Sequence, residues 1–71
     1  MNFLICVNNK GYEASLEVRK LYRCLDDAHA DALDMVRVVD ESGEDYLYPA
    51  KRFQPIRITK QLEHQLFTHA A

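Results

Sequence analysis

Phe3-Leu4-Ile5-Cys6-Val7 is the longest unbroken apolar run, and its five β-favouring residues predict a largely buried strand. Asn8-Asn9-Lys10-Gly11 ends it with residues that tolerate positive φ. Leu16, Val18, Leu21, Tyr22 and Cys24 mark a second extended stretch, loosely alternating. Asp26 to Leu33 predicts one or two helical turns behind an Asp cap, or an ordered loop in their place. Met35 to Asp40 alternates around Arg37, with Val36 and Val38 on one face. Glu41-Ser42-Gly43-Glu44 predicts a hairpin turn with Gly43 in the left-handed position, and Tyr46-Leu47-Tyr48 a return strand stopped by Pro49. Ile56 and Ile58 flank Arg57 in a last strand. Beyond them Thr59 stands as a cap before Lys60 to Phe67, where Leu62 and Leu66 lie one turn apart with no Gly or Pro between, so a short helix with a narrow apolar stripe is expected.

Strands this short do not make two well-filled sheets. The pattern therefore predicts a mainly β fold, a small five-stranded, partly open antiparallel barrel over residues 1–58, with residues 59–71 a helical tail. The expected core is Phe3, Ile5, Val18, Tyr22, Val36, Val38, Phe53 and Ile56. A helix of this length does not persist alone in water. It is expected to pack on its own barrel or on a second copy, with Leu62 and Leu66 inward and Glu63 outward.

Gly43-Glu44-Asp45-Tyr46-Leu47-Tyr48-Pro49-Ala50-Lys51-Arg52-Phe53 resembles the end of a Src-homology-3 (SH3) domain: a returning hairpin strand, a proline, one 3₁₀ turn and a final strand. Val18-Arg19-Lys20-Leu21-Tyr22-Arg23-Cys24-Leu25 resembles that fold's second strand, entered by a diverging turn. From Asn8 and Lys10-Gly11-Tyr12-Glu13-Ala14 through Val36-Arg37-Val38-Val39-Asp40-Glu41-Ser42-Gly43-Glu44-Asp45-Tyr46-Leu47-Tyr48-Pro49, the chain is similar to small single-domain bacterial proteins of uncharacterised function. The resemblance covers residues 1–58 and leaves the tail outside. It implies an SH3-like barrel, with Tyr48 toward the core, and no particular activity.

Proline-rich peptide binding by such barrels uses a groove walled by a Trp and several tyrosines, because flat rings accept a polyproline ridge. This chain has no Trp. Arg52 stands where a groove tyrosine is expected, and Tyr12 supplies a single groove ring. Peptide binding of that kind is therefore not expected.

Composition narrows the function further. The 71 residues suffice for one domain, and 48% apolar with 28% charged residues is ordinary for a folded one. No apolar run is long enough for a membrane span or a signal-peptide core, so a cytoplasmic protein is expected. Cys6 and Cys24 lie in apolar runs, and they are expected to be reduced and largely buried. Cys24 and His29 are five positions apart, as are His64 and His69, and neither spacing puts two metal ligands on one face. With only Gly11 and Gly43, no glycine-rich phosphate loop can form. Ser15 and Ser42 are the only serines, and Asp27, His29 and Asp31 do not share a helix face. Neither an enzyme nor a cofactor is expected.

Two binding readings are left. Residues 26–45 hold eight acids against Arg37, while both flanks are net basic. Arg19, Lys20, Arg23, Arg52 and Arg57, interleaved with Tyr12, Tyr46 and Tyr48, make a nucleic-acid surface conceivable. The net charge of −2 lacks the usual electrostatic footprint of one. The favoured reading is a module for a protein partner or for self-association, with Tyr12, Arg52, Leu62, Leu66 and Phe67 as the contact residues.

Overall fold

The computed structural model describes residues 2–67, and side chains over 3–66. Five strands, β1 (Asn2–Cys6), β2 (Leu21–Leu25), β3 (Met35–Val39), β4 (Asp45–Pro49) and β5 (Phe53–Ile56), form one antiparallel sheet in the order β4-β3-β2-β1-β5. Helix α1 (Ala28–Ala32) joins β2 to β3, a 3₁₀ turn (Ala50–Arg52) joins β4 to β5, and helix α2 (Lys60–Phe67) follows β5. The first four strands are a meander. The fifth returns to pair with the first, from Cys6 opposite Phe53 to Phe3 opposite Ile56. β4 and β5 do not pair with each other, so the sheet is open and each is an edge.

The hairpin parity read from the chain holds. Val38 is fully buried and Tyr48 nearly so, with Val36 packed against the same cluster. The core is Leu4, Cys6, Leu16, Tyr22, Val38, Tyr48 and Phe53. Three expected members are corrected. In β1 the residues that join the cluster are Leu4 and Cys6; Phe3 is buried outside it, and Ile5 is half-buried. A run of five apolar residues carries no alternation, so parity there is invisible in sequence. Leu16 takes the place expected of Val18. The N–H groups of Ser15 and Leu16 both donate to the Tyr12 carbonyl at 2.9 Å, a turn that swings Leu16 inward and delays the second strand to Leu21. Ile56 is 36% exposed, because the last strand starts at Phe53, directly after the 3₁₀ turn, rather than around Arg57.

β2 enters the sheet through a bulge. The Cys6 N–H donates to the Lys20 carbonyl, and the Arg19 N–H donates to the Cys6 carbonyl, so two residues oppose one. Arg19 holds the left-handed conformation this requires, at φ 70°. Between β2 and β3 the helical alternative is the one adopted: Asp27 caps α1 by accepting from the Ala30 N–H at 3.0 Å. The same carboxylate accepts from Arg37 Nε at 2.8 Å, and Arg37 reaches on to Asp45 at 3.1 Å. The helix cap, β3 and β4 are thereby stitched together on one side of the sheet.

Candidate interaction surfaces

Tyr12 and Arg52 come together from opposite ends of the fold. The Val7 and Asn8 N–H groups donate to the Arg52 carbonyl at 2.8 and 3.3 Å, which pins the 3₁₀ turn against the end of β1. The Arg52 guanidinium then lies 5.5 Å from the Tyr12 ring centroid and donates to Asn8 Oδ1 at 2.8 Å. Tyr12 in turn meets Tyr48 edge-on at 5.1 Å. Arg52 thus covers the ring that would have served as a groove wall.

Beneath this corner two tyrosines are tied to two neighbouring carboxylates. Tyr48 O–H donates to Asp40 Oδ2 at 2.5 Å, and Asp40 Oδ1 accepts from the Ser42 hydroxyl at 2.6 Å and the Ser42 N–H at 2.8 Å. Burial alone would raise Asp40, but these three bonds together hold its carboxyl below the usual range. Burial first and the anionic Asp40 second push Tyr48 up to about 12. Tyr22 O–H donates to Glu41 Oε2 at 2.5 Å and accepts from the Glu17 N–H at 2.7 Å. Lys20, 2.6 Å from the same Glu41 oxygen, is the main reason the Glu41 carboxyl is held low. Burial pushes Tyr22 up strongly as well. The sequence reading did not foresee these pairs. The available signal was Asp40 two residues before Ser42, the spacing of an Asx turn.

The tail reverses the arrangement expected for docking on its own barrel. Thr59 caps α2 as expected, its hydroxyl oxygen accepting from the Leu62 N–H at 3.0 Å. Leu62 and Leu66, however, are 40% and 50% exposed, while Glu63 is the half-buried residue. Glu63 and Lys60 line an open groove of about 750 Å³ together with Phe3, Val36, Ile56, Ile58, Asp31 and Arg57. Glu63 is the one half-buried residue among the described side chains of α2; the leucines and the rest are exposed. The side chain of Phe67 lies outside the described residues, as does His69. Tyr12 and Arg52 therefore form one locus, and Leu62 and Leu66 form a second on α2.

Several members of the basic and aromatic set are engaged or buried. Lys20 is held by Glu41, Arg52 by Tyr12 and Asn8, and Tyr48 is buried. Tyr46 is 49% exposed on β4, while Arg57 lines the groove beside α2. Among the described residues no cluster of three or more His, Cys, Asp or Glu side chains could hold a metal ion, and no helix is long and apolar enough to cross a membrane.

Cys6 and Cys24 are both free thiols. Cys24 pairs with Asn2, and Cys6 lies four residues further along the same strand. At ~3.3 Å per residue the two are ~13 Å apart along the ladder, far beyond the ~7 Å between Cα atoms that a bridge tolerates. Cys6 is fully buried, whereas Cys24 is half-buried. What the fold defines is a mainly β single-sheet module in which Tyr12 and Arg52 engage each other and Leu62 and Leu66 are exposed. Comparison with protein-family models, curated proteins and solved structures gives no match to this chain.

Proposed function

We propose that this chain is a small non-enzymatic interaction module, a cytoplasmic SH3-like barrel that works by contacting a protein partner or a second copy of itself. The SH3-like reading is supported by the sheet order, in which the last strand returns to the first, and by the 3₁₀ turn between β4 and β5. The observation that carries the interaction reading is the outward apolar stripe of α2. An eight-residue helix is too short to hold itself together in water, yet its two leucines are exposed while Glu63 is half-buried. Burying Leu62 and Leu66 supplies ~25 cal/mol per Å² of apolar surface covered, and supports a modest, reversible contact. The Asp40 and Glu41 carboxylates, both held below their ordinary range, are engaged by tyrosines, a turn and a lysine, which reads as structure rather than as chemistry.

The test compares the full chain with a Leu62→Glu, Leu66→Glu variant by light scattering and by partner recovery after nuclease treatment. Loss of association with an unchanged melting temperature supports the reading. A variant that associates as the parent does removes it. Nucleic-acid binding is the alternative, favoured only by Arg57 and Lys60 lining the groove at the start of α2. Salt-sensitive retention of the chain by RNA or DNA, lost on Arg57→Ala, would select it.

A further inference from the structure

We infer that β4 is a self-pairing edge, at which a second copy of this chain adds its own β4 antiparallel about Leu47 to make a continuous sheet. This rests on the reading of the chain as an interaction module, but at a surface separate from α2.

The argument begins with backbone direction. The Asp40 N–H donates to the Glu44 carbonyl at 3.0 Å, and the Ala50 N–H donates to the Asp34 carbonyl at 2.9 Å. Both bonds fit the β3–β4 register, which runs from Val39 opposite Asp45 to Met35 opposite Pro49. In an antiparallel ladder, bonded and non-bonded pairs alternate. Tyr46 and Tyr48 therefore bond inward to Val38 and Val36. Asp45, Leu47 and Pro49 turn their main-chain groups outward to the open edge. No strand lies on that side of β4, so the Asp45 and Leu47 N–H groups have no ladder partner there. Pro49 sits at a position where its missing N–H costs the β3 ladder nothing.

Side chains and charge choose the partner and the register. Natural edges are commonly blunted by charge or by proline inside the strand. The opposite edge, β5, carries Pro55 within it, whereas β4 presents Tyr46 at 49% and Leu47 at 38% exposure with its only proline at the end. Centred on Leu47, two antiparallel copies place Leu47 against Leu47, with two reciprocal main-chain bonds, and Tyr46 beside Tyr48 of the other copy. Each Asp45 N–H then meets the other copy's Pro49 carbonyl, which needs no N–H from the proline. Centring on Tyr46 instead would bring the two Asp45 carboxylates diagonally together, so charge selects Leu47.

Amide exchange measured by NMR on the full chain at rising concentration, with mass by sedimentation, tests this. The Leu47 amide is expected to become protected as the chain dimerises, while the Tyr46 and Tyr48 amides are protected throughout. Leu47→Pro deletes the edge N–H without removing a β3 bond, and should weaken dimerisation by about tenfold or more, as the loss of two net hydrogen bonds implies. Leu47→Lys keeps every backbone group and sets like charges on the two-fold axis, so it reports even if the proline variant unfolds. A chain that stays at 8.3 kDa with a Leu47 amide indifferent to concentration overturns the inference. So does a dimer untouched by the Leu47 variants. If that dimer is lost in Leu62→Glu, Leu66→Glu, association belongs to α2 and the proposed function stands without this edge.

Discussion

Tyr48 O–H meets Asp40 Oδ2 at 2.5 Å, eight residues apart and across the β3–β4 hairpin, with both side chains buried. This bond converts an acidic turn into a structural anchor. Asp40 organises the turn through Ser42, and Tyr48 carries that order into the aromatic cluster with Tyr12 and Phe53.

Replacing Tyr48 with Phe keeps the ring contacts and strips the buried carboxylate of one donor. The expected cost is about 1–3 kcal/mol, the range for leaving a buried acceptor unmet. Urea unfolding would measure it, and an unchanged midpoint would show that water replaces the phenol without loss.

Stability should fall at both ends of the pH scale. Asp40 and Glu41 have folded values below their ordinary 3.8 and 4.5, so what they contribute is fully present above those values and drains as pH drops through the lowered ones. Tyr48 has the opposite sign. Its folded value of about 12 exceeds the ordinary 10.0, so its contribution is whole below 10.0 and is lost as pH climbs toward 12. Melting temperature against pH is expected to show a plateau between these limits, and Tyr48→Phe should blunt the alkaline decline.

Leu16→Ala removes a side chain with no exposure from the centre of the cluster, and is expected to cost about 2–5 kcal/mol. That is comparable with the whole stability of a domain this small, roughly 0.05–0.15 kcal/mol per residue. Val18→Ala, at a half-buried site in the same loop, should cost clearly less. Equal effects in a thermal melt would contradict the placement of Leu16.

Under native conditions a thiol reagent should modify Cys24 and spare Cys6, because only Cys24 is partly accessible. Burial first, then Asp26 and Asp31, push the Cys24 thiol up, so its labelling should be slow at neutral pH and quicken in alkali. Mass spectrometry of the labelled chain should find one adduct and no intramolecular bridge. A Cys6–Cys24 disulfide in the native protein would refute the β1–β2 register.

Where alternation or turn chemistry is local, the chain announces its structure. Met35 to Pro49 reads as a hairpin because Val36, Val38 and Tyr48 share a parity and Gly43, at φ 84°, can occupy the left-handed turn. Asp27 and Thr59 are legible as caps because the group each accepts from lies three residues on. The choices that depend on distant partners are not written in this way. Leu4 rather than Ile5 faces the core only because β1 is sandwiched between β2 and β5, and an all-apolar strand fits either way up. Tyr12 meets Arg52 because the end of β1 accepts the 3₁₀ turn, an encounter forty residues apart with no local signature. Leu62 and Leu66 were legible as a stripe, but which way the stripe points depends on whether Glu63 or the leucines meet the groove. That is decided by the surface beside the helix, and the period of the helix does not encode it.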